Sequence, residues 1–365
     1  MENNFDVVVV GAGAAGLHIA GLLAEKAQVC IIESKADPTN VSFHTLGSFI
    51  QRERYGLSEK IIAANISEVT FHSKRFHAIK YGSAFILDKT QIHRELLEKL
   101  VSDNVEMKWK TSVRDVVQNP DGNIEAVVDT AGNVYRAKIF VDATGVAGFF
   151  SRKFGLQNRK LNIVTGLEYN VLYHGPENHV HLYLGKEFYN GYGWIFPLGG
   201  KRAIVGYCII GPHAANMKST LDSICNIESV RALITKDNDI AYGGTAPITD
   251  VKTKFVFRNI LCVGDSVSQV HPLVGEGYRF VLESGKIAAP YILQALKDND
   301  ISHLLGYEAE WGRIFQESYQ KGKRNQRIAK IASRSDLLSD ALLLVIKMTS
   351  NEHAERAISG GVKFI

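Results

Sequence analysis

Three glycines near the N-terminus have the spacing of a phosphate-binding loop. The β-branched run FDVVVV leads directly into GAGAAG, and a helical stretch, LHIAGLLAEKA, precedes a second apolar run, QVCIIE. Gly11 permits a tight turn, Gly13 lets the backbone approach a pyrophosphate, and Gly16 lets the helix pack closely on the strand. The amides and the positive dipole end of that helix would hold the phosphates. The pattern therefore predicts a dinucleotide site at the end of a buried strand.

An acidic residue ends the second apolar run. Glu33 follows the loop at about 20 residues, the spacing at which a carboxylate accepts hydrogen bonds from the adenosine ribose. Its charge would repel a 2′-phosphate, which argues against NADP in this site. These two features do not distinguish NAD from FAD.

A second glycine-rich stretch, GDSVSQVHPLVGEGYRF, begins at residue 264 and leads into a helical pattern. A nicotinamide enzyme does not need it, whereas the ribityl chain and ring of FAD extend beyond the dinucleotide crevice. Asp265 is predicted to accept a hydrogen bond from a ribityl hydroxyl. The amides of Gly277 and Tyr278 are predicted to face the flavin N1/O2 edge, where reduced flavin carries negative charge. Glu276 is predicted to cap its own helix. The second stretch therefore predicts FAD.

Three further segments carry a family resemblance. The segment DATG follows an apolar run, AFILDKTQIHRELLEKL reads as a strand and an amphipathic helix, and GYGWIFPLGG is followed by Val205 and Gly206. With GD…PLVGEG, they resemble the geranylgeranyl reductase family, flavoproteins of the hydroxybenzoate-hydroxylase-like fold, over roughly residues 5 to 300. The resemblance implies FAD as cofactor. It also implies reduction of C=C bonds in isoprenoid chains of lipids or quinones, by hydride transfer from reduced flavin.

The family pattern also assigns cofactor-binding positions, with two departures. Family members usually have Arg where this chain has Lys89, which keeps the charge but loses the bidentate fork. Many have a Cys-Gly pair near the flavin where this chain has HTLGSF, with Leu46 at the thiol position and His44 or Thr45 as the polar alternative. The cofactor-binding residues implied are Gly11, Gly13, Ala14, Ala15, Gly16, Glu33, Thr45, Leu46, Lys89, Val113, Asp265, Gly275, Gly277 and Tyr278.

An aromatic segment is the candidate substrate wall. Single aromatic residues between 163 and 196 are typical of ordinary sheet core. In GYGWIFP, however, Gly191 and Gly193 weaken a strand, which indicates close approach by a ligand or cofactor. The predicted substrate-binding residues are Tyr192, Trp194, Phe196 and Pro197.

The predicted fold class is α/β. A Rossmann-like FAD-binding domain with a parallel sheet is expected at 1–65, 88–160 and 250–300, and a substrate domain with an antiparallel or mixed sheet at 66–87 and 161–249. Residues 301–365 are expected to be helical. There the basic KGKRNQR precedes LLSDALLLVIKM, which would either dock on the protein, or contact a membrane surface or roof a lipid tunnel.

Composition excludes several other functions. With 42 Lys and Arg against 38 Asp and Glu, the net charge of +4 is too small to indicate nucleic acid as a partner. The four cysteines form no CxxC pair, which favours a reducing, cytoplasmic setting without a metal site. The sequence has neither a signal-peptide pattern nor an apolar run of ~18 residues. We expect a cytoplasmic location, with the membrane surface as the alternative.

Three functions remain open at this stage. A reductase would draw electrons from transiently docked NAD(P)H or from a separate electron-carrying protein, because no second dinucleotide motif occurs. A flavin monooxygenase or halogenase is the first alternative, although the halogenase Trp-x-Trp-x-Ile-Pro segment has Tyr192 and Phe196 here. A non-catalytic flavoprotein is the second. No catalytic residue is assigned. His179 and His181 are expected to be exposed, and only His271 ranks above background among the histidines.

Overall fold

A computed structural model describes residues 3–41, 45–100, 102–157, 162–211, 216–248 and 254–361. The strands, in chain order, are β1 (Asn3–Val10), β2 (Val29–Ile32), β3 (Thr45–Ser48), β4 (Ile62–His72), β5 (His77–Asp88), β6 (Val105–Lys108), β7 (Val113–Gln118), β8 (Ile124–Asp129), β9 (Val134–Asp142), β10 (Ile163–Tyr173), β11 (His179–Tyr183), β12 (Gly191–Gly199), β13 (Arg202–Ile210), β14 (Ile234–Thr235), β15 (Ala241–Pro247), β16 (Val256–Phe257) and β17 (Ile260–Cys262). The α-helices are α1 (Ala14–Leu23), α2 (Lys89–Glu98), α3 (Phe149–Lys153), α4 (Met217–Cys225), α5 (Glu228–Arg231), α6 (Tyr278–Asp298), α7 (Leu305–Ala332), α8 (Asp336–Met348) and α9 (Asn351–Ser359).

The first sheet contains the N-terminal strand at its centre. Its order is β16-β17-β9-β1-β2-β6, and β1 pairs in parallel with both β2 and β9. Val7, Val8 and Val9 of β1 are fully buried, as expected of a strand covered on both faces. The antiparallel strands β7 and β8 extend this sheet beside β9. The predicted parallel sheet is confirmed.

The second sheet is mixed, as predicted. Its order is β14-β10-β13-β12-β11-β4-β5-β3, with β15 also paired to β10. Most pairs are antiparallel, whereas β11 and β4 are parallel. One face packs Tyr169, Ile195 and Val205 against Leu221 of α4 and Val230 of α5. The opposite face is turned toward the first sheet. Strand β3 belongs to this second sheet, and the domain boundaries given above stay a prediction.

The last part of the described chain is helical, as expected. Helix α7 packs Phe315 and Tyr319 against Phe280 of α6, and Trp311 packs against Tyr319. These edge-to-face and tilted ring pairs each contribute about 0.5–1.5 kcal/mol beyond area burial. Among the helices described, none combines the length and the apolar character needed to cross a bilayer.

Candidate functional site

A largely apolar cavity of about 430 Å³ lies between the two sheets. Its first wall consists of the loops that follow β1, β9 and β17, which are adjacent parallel strands of the first sheet. Its second wall is the free face of the second sheet. The carboxyl ends of parallel strands are where ligands bind in open α/β sheets. The cavity therefore occupies the position expected of a dinucleotide site.

In the glycine loop (residues 11–16), Gly11 and Gly16 are required for close packing, whereas Gly13 is open to the cavity. Gly11 has a φ of +100°, and a Cβ there would lie 2.4 Å from the carbonyl oxygen of Ala143. A Cβ on Gly16 would lie 1.9 Å from the Gly11 carbonyl oxygen. At Gly13, by contrast, a Cβ would meet no atom within 4 Å beyond its neighbouring residues, in the part of the chain that the structure describes. Gly13 thus presents bare backbone to the cavity.

Glu33 ties this loop to the end of β2. Its carboxylate accepts hydrogen bonds from the backbone N–H of Ala12 at 2.7 Å and of Lys35 at 2.7 Å, and from the Ser34 hydroxyl at 2.9 Å. The carboxylate lies beside the cavity and is not part of its lining. It can hold the glycine loop in place while remaining half-exposed for a ribose.

The second loop (residues 264–278) brings a carboxylate and a helix N-terminus to the cavity. Asp265 lies in the 3-10 turn after β17, and Gly277 is the N-cap of α6. A Cβ on Gly277 would be 4.0 Å from the Asp265 Oδ1 atom. Burial raises the pKa of the Asp265 carboxyl to about 6, against the opposing charge of Lys89. Gly275, with a φ of +71°, also lines the cavity.

The N-termini of α1 and α6 at the cavity lack side-chain caps among the described residues. Helix α1 begins after Gly13 and α6 begins after Gly277, and neither N-cap residue accepts a hydrogen bond with a side chain. The first turns of these helices therefore present backbone N–H groups and positive dipole ends to the cavity. This is suitable for an anionic or electron-rich group at each end.

Lys89 has a buried carboxylate as a neighbour that sequence reasoning missed. Burial lowers the pKa of the Lys89 ammonium to about 8, while the charges of Glu168 and Asp265 raise it. Glu168 is fully buried on β10, two residues beyond Gly166 on the cavity-facing side of the strand. Its cross-strand partner is Gly206. An acidic residue in the otherwise apolar stretch VTGLEYNVLY was the available signal.

Tyr278 and His93 form a second pair that sequence reasoning missed. The Tyr278 hydroxyl lies 2.8 Å from His93 Nε2, and His93 Nδ1 lies 2.8 Å from the carbonyl oxygen of Pro38. A carbonyl can only accept, so Nδ1 carries the proton and Nε2 accepts from the Tyr278 hydroxyl. Burial lowers the pKa of His93 to about 4, so this tautomer persists at neutral pH. Both side chains line the cavity.

Glu276 does not cap α6, so that prediction is wrong. Its carboxylate accepts hydrogen bonds from the Ser48 hydroxyl and, at 2.9 Å, from Arg279 Nη2. Arg279 Nη2 also donates to the carbonyl of Ser359 at 2.6 Å. Both members of the ion pair are almost fully buried. The pair joins the second loop to β3 and to α9, whose Ile358 lines the cavity.

The aromatic segment of β12 forms part of the second wall. Tyr192, Trp194 and Phe196 alternate along the strand and all line the cavity, with ring centroids 5.7 and 5.8 Å apart. The Tyr192 hydroxyl donates to the carbonyl of Val274 at 2.7 Å, which connects the wall to the second loop. Pro197 lies on the opposite face of β12 and is not among the described residues that line the cavity.

Gly191 and Gly193 have a different role from the one predicted. A Cβ on Gly193 would lie 2.3 Å from the Phe188 ring, and one on Gly191 would lie 1.7 Å from the Cys208 carbonyl oxygen. These glycines make room for the protein's own atoms. The interpretation that they mark close approach by a ligand is wrong.

The remaining predicted residues lie in three kinds of place. Val113 begins β7 and is outside the described lining, Leu46 lines the cavity, and Thr45 lies on β3, where its side chain is not described. His44 lies outside the described residues. The cavity brings together Gly13, Ala14, Ala15, Leu46, Lys89, Tyr192, Trp194, Phe196, Asp265, Gly275, Gly277 and Tyr278.

The histidines on β11 are less exposed than predicted. His181 is 5% exposed and its Nδ1 lies 3.0 Å from His72 Nε2, while His179 stacks on His181 with ring centroids 4.2 Å apart. His271 is fully buried and stacks on Phe280, outside the described lining of the cavity.

Comparison with known proteins identifies the family. A family model described as lycopene cyclase protein matches residues 6–207, which is more than half of the chain. The chain belongs to this family. The chain is also similar to a curated protein, the digeranylgeranylglycerophospholipid reductase of Methanosarcina acetivorans. The two are 26% identical over 83% of this chain and 78% of the reductase. The predicted resemblance to geranylgeranyl reductases is confirmed.

Solved structures show the same fold. A geranylgeranyl bacteriochlorophyll reductase-like protein from Thermoplasma acidophilum has a TM-score of 0.84 and 20% identity, and covers 98% of this chain and 96% of its own. A probable FAD-dependent monooxygenase from Pseudomonas aeruginosa has a TM-score of 0.72 and 21% identity, over 93% of this chain and 100% of its own. The fold is thus shared by reductases and monooxygenases.

Proposed function

We propose that this protein is an FAD-dependent oxidoreductase that reduces C=C bonds in the isoprenoid chains of lipids or quinones. The observation that carries the proposal is the arrangement of the cavity. Two uncapped helix N-termini among the described elements face an apolar wall that includes Trp194 and Phe196. A long hydrocarbon chain fits such a wall better than a small polar aromatic substrate does, because the wall offers broad apolar contact and few charged groups.

The residues at the cavity fit FAD. The bare backbone at Gly13 leaves space that a Cβ would fill, as a pyrophosphate requires. The carboxylate of Asp265 accepts no hydrogen bond from the described residues and is available to a ribityl hydroxyl. Glu33 would bind the adenosine ribose, and the N–H groups at Gly277 and Tyr278 would face the flavin edge. When bound and reduced, FAD would supply the hydride for the double bond.

The second wall would orient the chain and exclude water. Trp194 is 5% exposed, and its neighbours across the strands, Leu182 and Gly206, leave an apolar surface beside it. Holding a double bond at a fixed distance from its reaction partner contributes strongly to rate, because misplacement by about 1 Å can cost ~100-fold. Exclusion of water also prevents side reactions.

Charged groups at the side of the cavity would set its local potential. With a pKa of about 8, Lys89 is mostly protonated at pH 7, and with a pKa of about 6, Asp265 is mostly ionised. Glu168 lies near enough to Lys89 to raise the pKa of its ammonium. We propose that Lys89 neutralises negative charge of the cofactor while Glu168 keeps the ammonium protonated.

The electron donor would be either NAD(P)H that docks transiently or a reduced carrier protein. Anaerobic mixing of the oxidised flavoprotein with NADH or NADPH distinguishes them, because bleaching of the flavin absorbance within the turnover time supports a nicotinamide donor. Absence of bleaching with both supports a carrier protein.

The proposed reaction is tested by anaerobic photoreduction of the bound FAD. The reduced protein is then mixed under nitrogen with a geranylgeranylated lipid, and we expect the flavin absorbance to return. Mass analysis should show a gain of two mass units for each bond reduced. If the flavin stays reduced with every polyprenyl substrate while an oxygenated or halogenated product appears in air, the monooxygenase or halogenase alternative is correct.

A further inference from the structure

Helix α8 buries Ser339, Asp340 and Leu343, and it exposes several of its large apolar residues. Asp340 is 2% exposed and accepts hydrogen bonds from the Ser73 hydroxyl and from Arg75 Nε at 2.6 Å. Asp336, at the start of the helix, forms an ion pair with Lys74 at 3.1 Å. These contacts attach α8 to the rest of the protein through charge. An ordinary surface helix turns most of its large apolar residues toward the core.

The four most exposed apolar residues of α8 lie on one face of the helix. Leu337, Leu344, Val345 and Met348 are 67%, 44%, 61% and 89% exposed. At 100° per residue, their separations place them within one side of the helix. Four large apolar residues on a single exposed helix face are more than scattered surface hydrophobics, and such surfaces mark contacts with proteins or membranes.

The end of α7, which contacts α8, also exposes apolar residues and adds positive charge. Ile328 and Ile331 are 49% and 53% exposed. The cations Arg327, Lys330, Arg334 and Lys347 are also exposed. The α7–α8 surface is defined here as these six apolar residues, namely Ile328, Ile331, Leu337, Leu344, Val345 and Met348, with these four cations.

We propose that the α7–α8 surface binds to the surface of an anionic lipid bilayer. Apolar side chains flanked by Lys and Arg match the acyl boundary and the anionic head groups of such a bilayer. Helix α8 has 13 residues and extends roughly 20 Å, whereas the hydrocarbon core is ~30 Å thick. It would therefore lie in the plane of the interface.

The chain continues from this surface directly to the cavity. Helix α9 follows α8, Lys80 Nζ donates to the carbonyls of Lys347 and Thr349 at their junction, and Ile358 of α9 lines the cavity. Bilayer binding would place this side of the cavity near the membrane, where a polyprenyl lipid resides. That last step rests on the proposed function, whereas bilayer binding itself does not.

Flotation with vesicles tests the proposal on the full chain loaded with FAD. We expect flotation with vesicles of phosphatidylcholine and phosphatidylserine, weaker flotation with phosphatidylcholine alone, and a loss of binding as salt is raised. The double variant Leu344→Ser with Val345→Ser should bind about tenfold more weakly, because it removes apolar area that the bilayer would bury. The variant Arg327→Glu with Lys330→Glu should lose the preference for the anionic vesicles.

The matched control is Ile240→Ser, which removes an apolar side chain of similar exposure, 60%, from the end of the second sheet. It should float like the wild type. Wild-type protein that does not float with anionic vesicles, or equal flotation of all variants, overturns the proposal. So does a dimer in analytical ultracentrifugation that Leu344→Ser with Val345→Ser dissociates, because a second copy would then cover the surface.

The test is independent of catalysis. Flotation is measured without turnover, so failure of the proposed reaction leaves it unaffected. The α8 variants should keep wild-type FAD content, circular dichroism and reduction of detergent-dispersed lipid, which shows that lost flotation does not reflect unfolding.

Discussion

The Tyr278 hydroxyl donates a hydrogen bond to His93 Nε2 at 2.8 Å, and this bond fixes the direction of a phenol at the start of α6. Because the Tyr278 proton is used by His93, the hydroxyl can only accept from a group in the cavity. His93 in turn is held by Pro38, far from Tyr278 in the chain. The loop after β2 thereby positions a side chain of the second loop.

Replacing His93 with Phe should destabilise the apoprotein by about 1–3 kcal/mol, because it leaves buried hydrogen-bonding groups without a partner. Adding Tyr278→Phe should recover part of this loss, since the second change removes one of the unpaired groups. Urea unfolding of the single and double variants measures both effects. Strictly additive losses would show that the two side chains are not coupled.

Glu33→Ala should weaken FAD binding by on the order of 1.5–3 kcal/mol, because the ribose loses a charged hydrogen-bond partner. The change also removes the acceptor for the Ala12 N–H, so the glycine loop should become less ordered. Titration of the apoprotein with FAD gives the dissociation constant. Glu25→Ala, at an exposed position near the end of α1, should bind FAD like the wild type.

Asp265→Asn should stabilise the apoprotein while weakening FAD binding. The folded-state pKa of Asp265 is about 6, above its ordinary value of 3.8, so the folded state holds this proton more tightly. Protonation of Asp265 therefore stabilises the folded state at low pH, and this contribution to the free energy of unfolding is lost as pH rises through 6. At pH 8 the variant should therefore be more stable by on the order of 1 kcal/mol, and the difference should vanish near pH 4.

For the Asp265→Asn experiment, the exposed Asp103→Asn is the control. Equal FAD affinity in Asp265→Asn would exclude the ribityl contact.

Trp194→Ala should slow reoxidation of the reduced enzyme by a polyprenyl lipid by ~100-fold, since the chain loses the ring that positions it. Anaerobic stopped-flow absorbance measures the rate. Tyr189→Ala removes an aromatic side chain that is 47% exposed, and it should react at the wild-type rate. An unchanged rate in Trp194→Ala would place the substrate away from β12.

Acid should destabilise the protein through its buried histidines. Burial lowers the pKa of His72 to about 4 and that of His181 to about 3, from an ordinary value of 6.5. Below pH 6.5 the unfolded chain takes up protons that the folded one does not, so the free energy of unfolding falls as pH drops toward 4. His181→Asn should reduce this pH dependence, as measured by urea unfolding at several pH values. The half-exposed His303→Asn is the control.

The sequence predicts features that depend on neighbours in the chain. The run FDVVVV, the glycine loop and the strand before Lys89 are local patterns, and each forms the element expected. Tyr192, Trp194 and Phe196 alternate in the sequence and line the same cavity, because strand geometry alone places alternate side chains on one face.

Features that depend on distant contacts could not be predicted in this way. Glu168 becomes part of the site only because β10 lies near the start of α2, and His93 only because the loop at Pro38 folds over it. Gly193 illustrates the same limit. The sequence shows a missing side chain, but the neighbour that requires its absence, Phe188, becomes known only from the fold.

The bridge from Arg279 to the Ser359 carbonyl has a consequence for the order of events during synthesis. The glycine loop leaves the ribosome first, the second loop follows much later, and α9, which supplies Ile358 and this carbonyl, emerges after both. A nascent chain that has not yet released α9 would have both helix N-termini but an open cavity. We therefore expect FAD to enter before α9 docks, and docking of α9 to slow its escape. Ribosome-bound chains stalled before α9 should exchange added FAD faster than the released protein.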